Sequence, residues 1–137
     1  MRNIRVLGLG LVLAAWGSGP AAVAREAARP VVVLKEIVEG MPKGDKQELH
    51  VLTASFTPGQ GTVFHKHRFP VTVYVLEGDF TLEMDGRLPV VVAAGQSFVE
   101  PPNVSMTGYN RSATAPLRVV IFYVGDPGTP FLDVVHN

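Results

Sequence analysis

Residues 58–78 of the chain read PGQGTVFHKHRFPVTVYVLEG, with His65 and His67 separated by a single lysine. Alternate side chains of a β-strand point to the same face, so a strand here would present both imidazoles to one ion or one ligand. The PGQG sequence at 58–61 predicts a turn before the histidines, and EGD at 77–79 predicts a tight turn after them. The stretch therefore predicts a β-structure that carries a pair of histidines on one face.

The rest of the chain continues as short apolar runs divided by turns rich in glycine and proline. Phe80, Leu82 and Met84 alternate with polar residues, which is typical of a strand with one buried face. No stretch after residue 24 shows a helical period, so the pattern predicts an all-β sandwich or barrel. The predicted strands cover residues 31–34, 48–56, 63–67, 71–76, 80–84, 88–93, 97–100, 104–109 and 117–124, with a segment at 131–136 packed on the outside.

The first 24 residues predict a secretory signal peptide. Arg2 and Arg5 precede an apolar run at 6–16, and the AVA sequence at 22–24 is a small-x-small cleavage site. The apolar run is too short to span a bilayer comfortably, which argues against an uncleaved anchor. We therefore expect cleavage after this site, a periplasmic or secreted protein, and no membrane attachment of the mature chain.

Residues 25–137 suffice for one domain, with a predicted core at about 31–125 and a tail at 126–137. The chain has 12 basic and 12 acidic residues, and removing Arg2 and Arg5 leaves ten basic against twelve acidic residues, a net charge of −2. The mature chain is thus slightly acidic and has no cluster of basic residues dense enough to bind nucleic acid. The chain has no cysteine, so disulfides, thiol catalysis and cysteine-ligated metals are excluded and a hydrophobic core must hold the domain together.

The histidine pair is a candidate metal site that needs a third ligand. Imidazole is the commonest ligand for transition metals, but two imidazoles alone bind weakly. The five residues after His67 include no carboxylate. Met106 offers a soft thioether that favours copper, although methionine more often fills a core. Glu100 is another candidate ligand, and the alternative is a histidine pair that faces solvent or a pocket without an ion.

Residues 58–78 resemble the first motif of the cupin superfamily, and residues 95–110 resemble the second. The matching residues are Gly59, His65, His67 and Gly78 in the first motif and Gly95, Pro101 and Asn110 in the second. With their flanking strands, the two motifs cover about residues 31–125. The resemblance implies a single-domain β-barrel of the double-sheet jelly-roll type with a pocket inside it.

This sequence departs from the cupin pattern at two of the four usual metal ligands. The glutamate of the first motif would fall at Val71 or Thr72, and the histidine of the second motif falls at Met106, while Asn103 stands where that motif has a glycine. These changes make the pocket less polar, which suits a soft metal or an apolar or aromatic small molecule. The residues predicted to line the pocket are Phe64, Tyr74, Glu100, Tyr109 and Phe122.

Three functional hypotheses follow. In the first, an exported cupin binds a ligand through His65 and His67, with Met106 as a third contact. The ligand is one divalent or soft transition metal (copper, zinc or iron) or a small molecule, and in the second case the site holds no metal. In the second, it is a metal-dependent, dioxygenase-like oxidoreductase of a small aromatic substrate, with Glu100 supplying the carboxylate. In the third, the pocket is vestigial and the surface binds a partner. Because edge strands of small barrels often pair, we also expect a homodimer through residues 31–34.

Overall fold

The computed structural model of the protein describes residues 25–136. Residues 25–30 have no regular structure, and the strands of the described range all belong to the compact unit that begins at Val31. Within residues 25–136, no helix is long and apolar enough to cross a membrane. The strands are β1 (Glu48–Phe56), β2 (His65–Lys66), β3 (Val71–Glu77), β4 (Asp79–Met84), β5 (Val90–Ala93), β6 (Ser97–Glu100), β7 (Met106–Asn110), β8 (Leu117–Gly125) and β9 (Asp133–Val134).

The strands form two antiparallel sheets. The four-stranded sheet has the order β1-β8-β3-β6, and the five-stranded sheet has the order β5-β4-β7-β2-β9. Consecutive strands such as β3 and β4 lie in different sheets, so the chain passes back and forth between the two layers as in a jelly roll. The predicted all-β, double-sheet barrel is therefore confirmed.

The hydrophobic core lies between the two sheets and follows the alternation of the strands. Val71, Val73 and Val75 of β3 are buried, and so are Phe80 and Leu82 of β4, while the residues between them are more exposed. Each such side chain contributes about 1.5–3 kcal/mol when it is fully buried. Because the sequence contains no cysteine, this core and not disulfides holds the domain together.

The predicted first strand is wrong, whereas the prediction for 48–56 coincides with β1. Residues 25–47 contain no strand, and Val31 and Val32 are 85% and 74% exposed. β-Branched residues favour a strand only where a neighbouring strand supplies hydrogen bonds and a packing surface. This run of valines has no such neighbour and forms no strand.

The expected position of the tail is also wrong. β9 joins the five-stranded sheet by pairing with β2, where His65 lies opposite Val134 and Lys66 opposite Asp133. Just before β9, Phe131 and Leu132 line the interior of the barrel. The tail can take this position because β2 would otherwise leave one edge of the five-stranded sheet unpaired. Residues 131–134 are therefore part of the barrel wall.

Asn103 shows how the turn of the second motif forms without its glycine. Its φ angle is 60°, in the left-handed region that glycine adopts most readily, and asparagine is one of the few other residues that tolerate it. The N–H of Asn103 donates to the carbonyl oxygen of His67 at 2.7 Å. The substitution therefore preserves a turn that is bonded to the histidine segment.

Gly78→Ala is expected to destabilise the domain strongly. Gly78 is the only residue between β3 and β4, its φ is 78°, and a Cβ there would lie 2.5 Å from the carbonyl oxygen of Pro116. Left-handed strain and the clash with backbone should together lower the free energy of unfolding by about 2–5 kcal/mol in urea denaturation followed by circular dichroism.

Gly86→Ala is the matched control for this prediction. Gly86 has a φ of 70°, but no described atom beyond its chain neighbours lies within 4 Å of the position that a Cβ would take, so only the strain of about 1–2 kcal/mol applies. Equal losses for the two variants would show that the close approach to Pro116 does not constrain the corner between the sheets.

Candidate functional site

A cavity of about 140 Å³ lies inside the barrel between the two sheets. Its walls are mostly apolar side chains from both sheets, and its polar lining residues are Thr62, His65, His67 and Glu100. An apolar cavity of about 150 Å³ can take up a benzene-sized molecule. The cavity is therefore large enough for a small ligand, and both histidines of the HKH sequence border it.

His65 and His67 point into the barrel together. Their side chains are buried, and Lys66 between them is exposed, as the alternation of a strand requires. The two rings meet edge to face with centroids 4.8 Å apart, and their Nε2 atoms are 3.2 Å apart. The expectation that both imidazoles share one face is confirmed.

Two backbone carbonyl groups fix the tautomers of these rings. Nδ1 of His65 lies 2.7 Å from the carbonyl oxygen of Val63, and Nδ1 of His67 lies 2.7 Å from that of Phe131. A carbonyl oxygen only accepts, so each Nδ1 carries a hydrogen and donates it. A neutral ring held in this way has its free lone pair on Nε2, which is how proteins orient histidines that bind metals.

Glu100 brings a carboxylate to the same place. Its Oε2 lies 3.0 Å from Nε2 of His67, and the residue is only 4% exposed. Glu100 stands at the end of β6, directly opposite Val71 of β3. Residues opposite each other on neighbouring strands point to the same face. The carboxylate on β6 therefore lies beside Val71, one of the two positions on β3 at which the cupin pattern expects a glutamate.

His65, His67 and Glu100 form a row of three buried groups whose facing atoms are all acceptors when the rings are neutral. Such a row is unfavourable unless a proton or a cation lies among its members. Burial lowers the pKa of His65, and His67 adds to this effect, while the hydrogen bond to Val63 and the charge of Glu100 raise it. The His65 ring thus resists protonation, and its lone pair remains available to bind a cation.

The donor atoms fit a transition metal in type and spacing but do not surround one point. Among residues 25–136, no cluster of three or more His, Cys, Asp or Glu side chains has the geometry of a complete metal site. The separations of 3.2 and 3.0 Å agree with the distance of about 3.0–3.4 Å between neighbouring ligands of an ion bound at about 2.1 Å. Both contacts share His67, so His67 is the donor that links the other two.

Met106 is fully buried and lies opposite His65 on β7, next to Met84 of β4. It is a member of the hydrophobic core and does not line the cavity. Met106 shares the face of His65, but of the two candidates for a third ligand Glu100 is the one with a polar contact to the histidine pair among the described residues.

The aromatic residues predicted to line the pocket lie elsewhere. Tyr74, Tyr109 and Phe122 alternate with buried neighbours on β3, β7 and β8, which places them on the outer faces of the sheets. Phe64 and Tyr109 border a groove on the outside of the barrel. The prediction was based on the size of these side chains and ignored which residues of each strand face inward. Glu100, the fifth predicted pocket residue, does face inward and lines the cavity.

Phe131 is the site residue that sequence reasoning missed. Its carbonyl oxygen accepts the hydrogen of His67 Nδ1 from 64 positions away in the chain. Its ring lies 4.9 Å from the His67 ring and 5.2 Å from the Tyr123 ring, between centroids. The only available signal was the apolar pair Phe131-Leu132 within a tail rich in turn residues.

Comparison with known proteins agrees with this architecture. The family model described as "Cupin domain" matches residues 52–123, which include both histidines and Glu100. Comparison with curated protein sequences finds no match.

Several solved structures share the fold. The DMSP lyase DddQ from Ruegeria pomeroyi is 20% identical with a TM-score of 0.55, over 64% of this chain and 43% of the lyase. An RmlC-like cupin from Shewanella frigidimarina is 27% identical with a TM-score of 0.51, over 59% of this chain and 69% of that one. The polyketide cyclase RemF from Streptomyces resistomycificus is 21% identical with a TM-score of 0.53, over 65% of this chain and 61% of the cyclase.

These matches limit what can be transferred from the relatives. This chain spans less than half the length of the lyase. At sequence identities of 20% and 21%, the likeness to the lyase and the cyclase shows a shared fold and no shared activity. The family model, in contrast, covers more than half of the chain. Together with the two antiparallel sheets folded over one cavity, this match shows that the chain belongs to the cupin domain family.

Proposed function

We propose that this cupin binds a divalent transition-metal ion through His65, His67 and Glu100 and holds a small ligand beside it in the cavity. The observation that carries the proposal is the buried row of two Nε2 atoms and one carboxylate oxygen, spaced 3.2 and 3.0 Å apart. The backbone carbonyls that orient both rings support it further. Imidazole and carboxylate donors together suit zinc, iron and copper ions.

The choice of Glu100 over Met106 changes the metal that we expect. A thioether would have favoured Cu(I), whereas a carboxylate oxygen is a harder donor. Two imidazoles and a carboxylate form the donor set of many zinc and non-haem iron sites. Zinc and iron are therefore the favoured ions in this proposal, and copper ranks after them.

The lining of the cavity indicates the class of ligand. Its polar groups are clustered around the histidines, and the remaining walls are apolar side chains such as Ala54, Val73 and Phe80. A ligand of about benzene size would place its apolar body against these walls. One polar or anionic group of that ligand would point toward His65 and His67.

His65→Ala, His67→Ala and Glu100→Gln should each lower the bound metal content. Each removes one donor of the row, and we expect affinity for Zn²⁺ to fall at least about 10-fold, since even loss of an orienting partner costs about that much. Metal in untagged protein is measured by mass spectrometry after purification, and affinity by competition with a chelator.

His50→Ala and Met106→Leu serve as the controls for this measurement. His50 stacks on Tyr123 outside the cavity, and Met106 belongs to the core. Both variants should keep the metal content of the unmodified protein. Equal metal content in His65→Ala and His50→Ala would refute the metal proposal. If Met106→Leu lost metal and Glu100→Gln kept it, Met106 and not Glu100 would be the third ligand.

A metal-dependent oxygenase of small aromatic substrates is the second candidate function. It needs a carboxylate beside the two histidines, and the contact of Glu100 with His67 is the observation that favours it. His65, His67 and Glu100 would hold ferrous iron, which would supply the oxygen chemistry of the two-histidine, one-carboxylate iron class. The chain itself would hold the aromatic ring against apolar walls and keep water away from it.

Iron-loaded protein should then consume oxygen in the presence of small phenols, measured with an oxygen electrode. Ala54→Leu fills part of the cavity without touching the three donors, so it should keep the iron and lose most of the oxygen uptake. Uptake that is unchanged in Ala54→Leu would show that any reaction occurs outside the cavity, and absence of uptake with bound iron would leave the binding function alone.

Export stays a prediction, because residues 1–24 lie outside the described part of the chain. We propose a periplasmic or secreted location on the signal-peptide pattern alone. No step of the site argument depends on the compartment.

The homodimer also stays a prediction, with its interface moved from residues 31–34 to β1. β1 is a nine-residue edge strand, and its Leu49 and Val51 are 64% and 62% exposed. Exposed apolar residues on a long edge strand favour pairing with a second copy. Light scattering should therefore detect dimers that Val51→Lys converts to monomers, whereas Leu88→Lys, at an 87% exposed residue between β4 and β5, should preserve them. A monomer in the unmodified protein would refute the dimer.

A further inference from the structure

Residues 131–135, which we call the strap, close one side of the cavity. Phe131 and Leu132 contribute two of its walls. β9 pairs with β2, and the N–H of Val135 donates to the carbonyl oxygen of Phe64 at 3.0 Å. The strap therefore lies along the segment that carries the histidines.

The strap also orients one of the proposed metal ligands. The Phe131 carbonyl oxygen accepts from Nδ1 of His67 at 2.7 Å, and the two rings pack with centroids 4.9 Å apart. If the strap moved away, His67 would lose the partner that fixes its tautomer and the ring that limits its rotation. Closure of the strap and formation of the ligand set are thus one event.

The strap is the weakest wall of the cavity. Apart from β2 itself, the strands that border the cavity belong to longer ladders, such as β1 with nine paired positions along β8. β9 in contrast has two residues and is an edge strand that pairs only with β2 within the described sheet. Segments with few hydrogen bonds and little buried surface open at the lowest cost, and such segments often admit ligands.

One ion pair fastens the strap to the histidine segment. Nε of Arg68 lies 2.8 Å from Oδ2 of Asp133, and Nη2 lies 2.9 Å from Oδ1, a two-pronged contact between neighbours of His67 and Phe131. The hydrogen bonds from Arg68 hold the pKa of Asp133 below its usual value. The side chains are 54% and 29% exposed, so water can replace this contact without disturbing the core.

We propose that the strap is the gate through which metal and ligand reach the cavity, with Arg68–Asp133 as its latch and Phe131 as the positioning residue of His67. The proposal rests on the proposed metal and ligand site, but the motion of the strap can be measured without either. Opening breaks the β2–β9 pairing and the latch, exposes the cavity and frees the His67 ring. Closing restores the wall and the Nε2-inward tautomer together.

Breaking the latch should open the strap more often while the fold stays intact. Arg68→Gln and Asp133→Asn each remove one partner, and the exchanged pair Arg68→Asp with Asp133→Arg restores the contact. In metal-free protein, hydrogen exchange of the Val135 amide should accelerate at least about 10-fold in both single variants and return toward the original rate in the exchanged pair. The ¹⁵N spectrum of the His67 ring should show loss of the single Nδ1–H tautomer in the same single variants.

The loaded protein gives the second readout. Dissociation of Co²⁺ into excess chelator, followed by stopped-flow absorbance, should be at least about 10-fold faster in each single variant and slow again in the exchanged pair. Arg111→Gln is the matched control, because Arg111 forms an exposed ion pair with Glu83 on the outer face of the five-stranded sheet. It should change none of these rates.

The outcomes separate this proposal from the proposed function. Unchanged exchange of Val135 and an unchanged His67 tautomer in both single variants would overturn the strap proposal, whatever the protein binds. Equal acceleration in Arg111→Gln would overturn it as well, because the effect would then be a general loss of surface ion pairing. Absence of Co²⁺ binding with accelerated Val135 exchange would refute the metal site and still support the moving strap.

Discussion

The site depends on two hydrogen bonds that fix the tautomer of each histidine ring. With Nδ1 of His65 bonded to Val63 and Nδ1 of His67 bonded to Phe131, both remaining nitrogens present lone pairs to the interior of the barrel. Neither bond requires a particular side chain at its acceptor, because both acceptors are backbone carbonyls. The barrel backbone therefore selects the chemistry of the pair, and the side chains nearby decide what completes it.

The barrel also explains how a carboxylate can come from another strand. Val71 on β3 and Glu100 on β6 lie opposite each other and share one face, so carboxylates at the two positions would point to the same side of the sheet. A chain in which the first motif lacks its glutamate need not lack the charge. This arrangement is visible only when the two motifs are seen as neighbouring strands and not as separate stretches of sequence.

Local patterns in the sequence predicted the sheets well and the site only in part. Alternation and turn residues were sufficient for β1, for the β4–β5 hairpin and for the shared face of His65 and His67. Residues 31–34 had the composition of a strand, but pairing depends on a neighbour that composition does not reveal. The contact between Phe131 and His67 joins residues 64 positions apart, and no local signal in the sequence predicts such a closure.

The packing of Tyr123 gives the domain an intrinsic optical signal. The single tryptophan of the chain, Trp16, lies in the predicted signal peptide, so tyrosines would dominate the near-ultraviolet signal of the mature domain. Tyr123 is the buried one of the three tyrosines, stacked on His50 with centroids 4.4 Å apart and 5.2 Å from the ring of Phe131. Near-ultraviolet circular dichroism depends on such fixed packing, so it would report the position of the neighbouring phenyl ring without any attached dye.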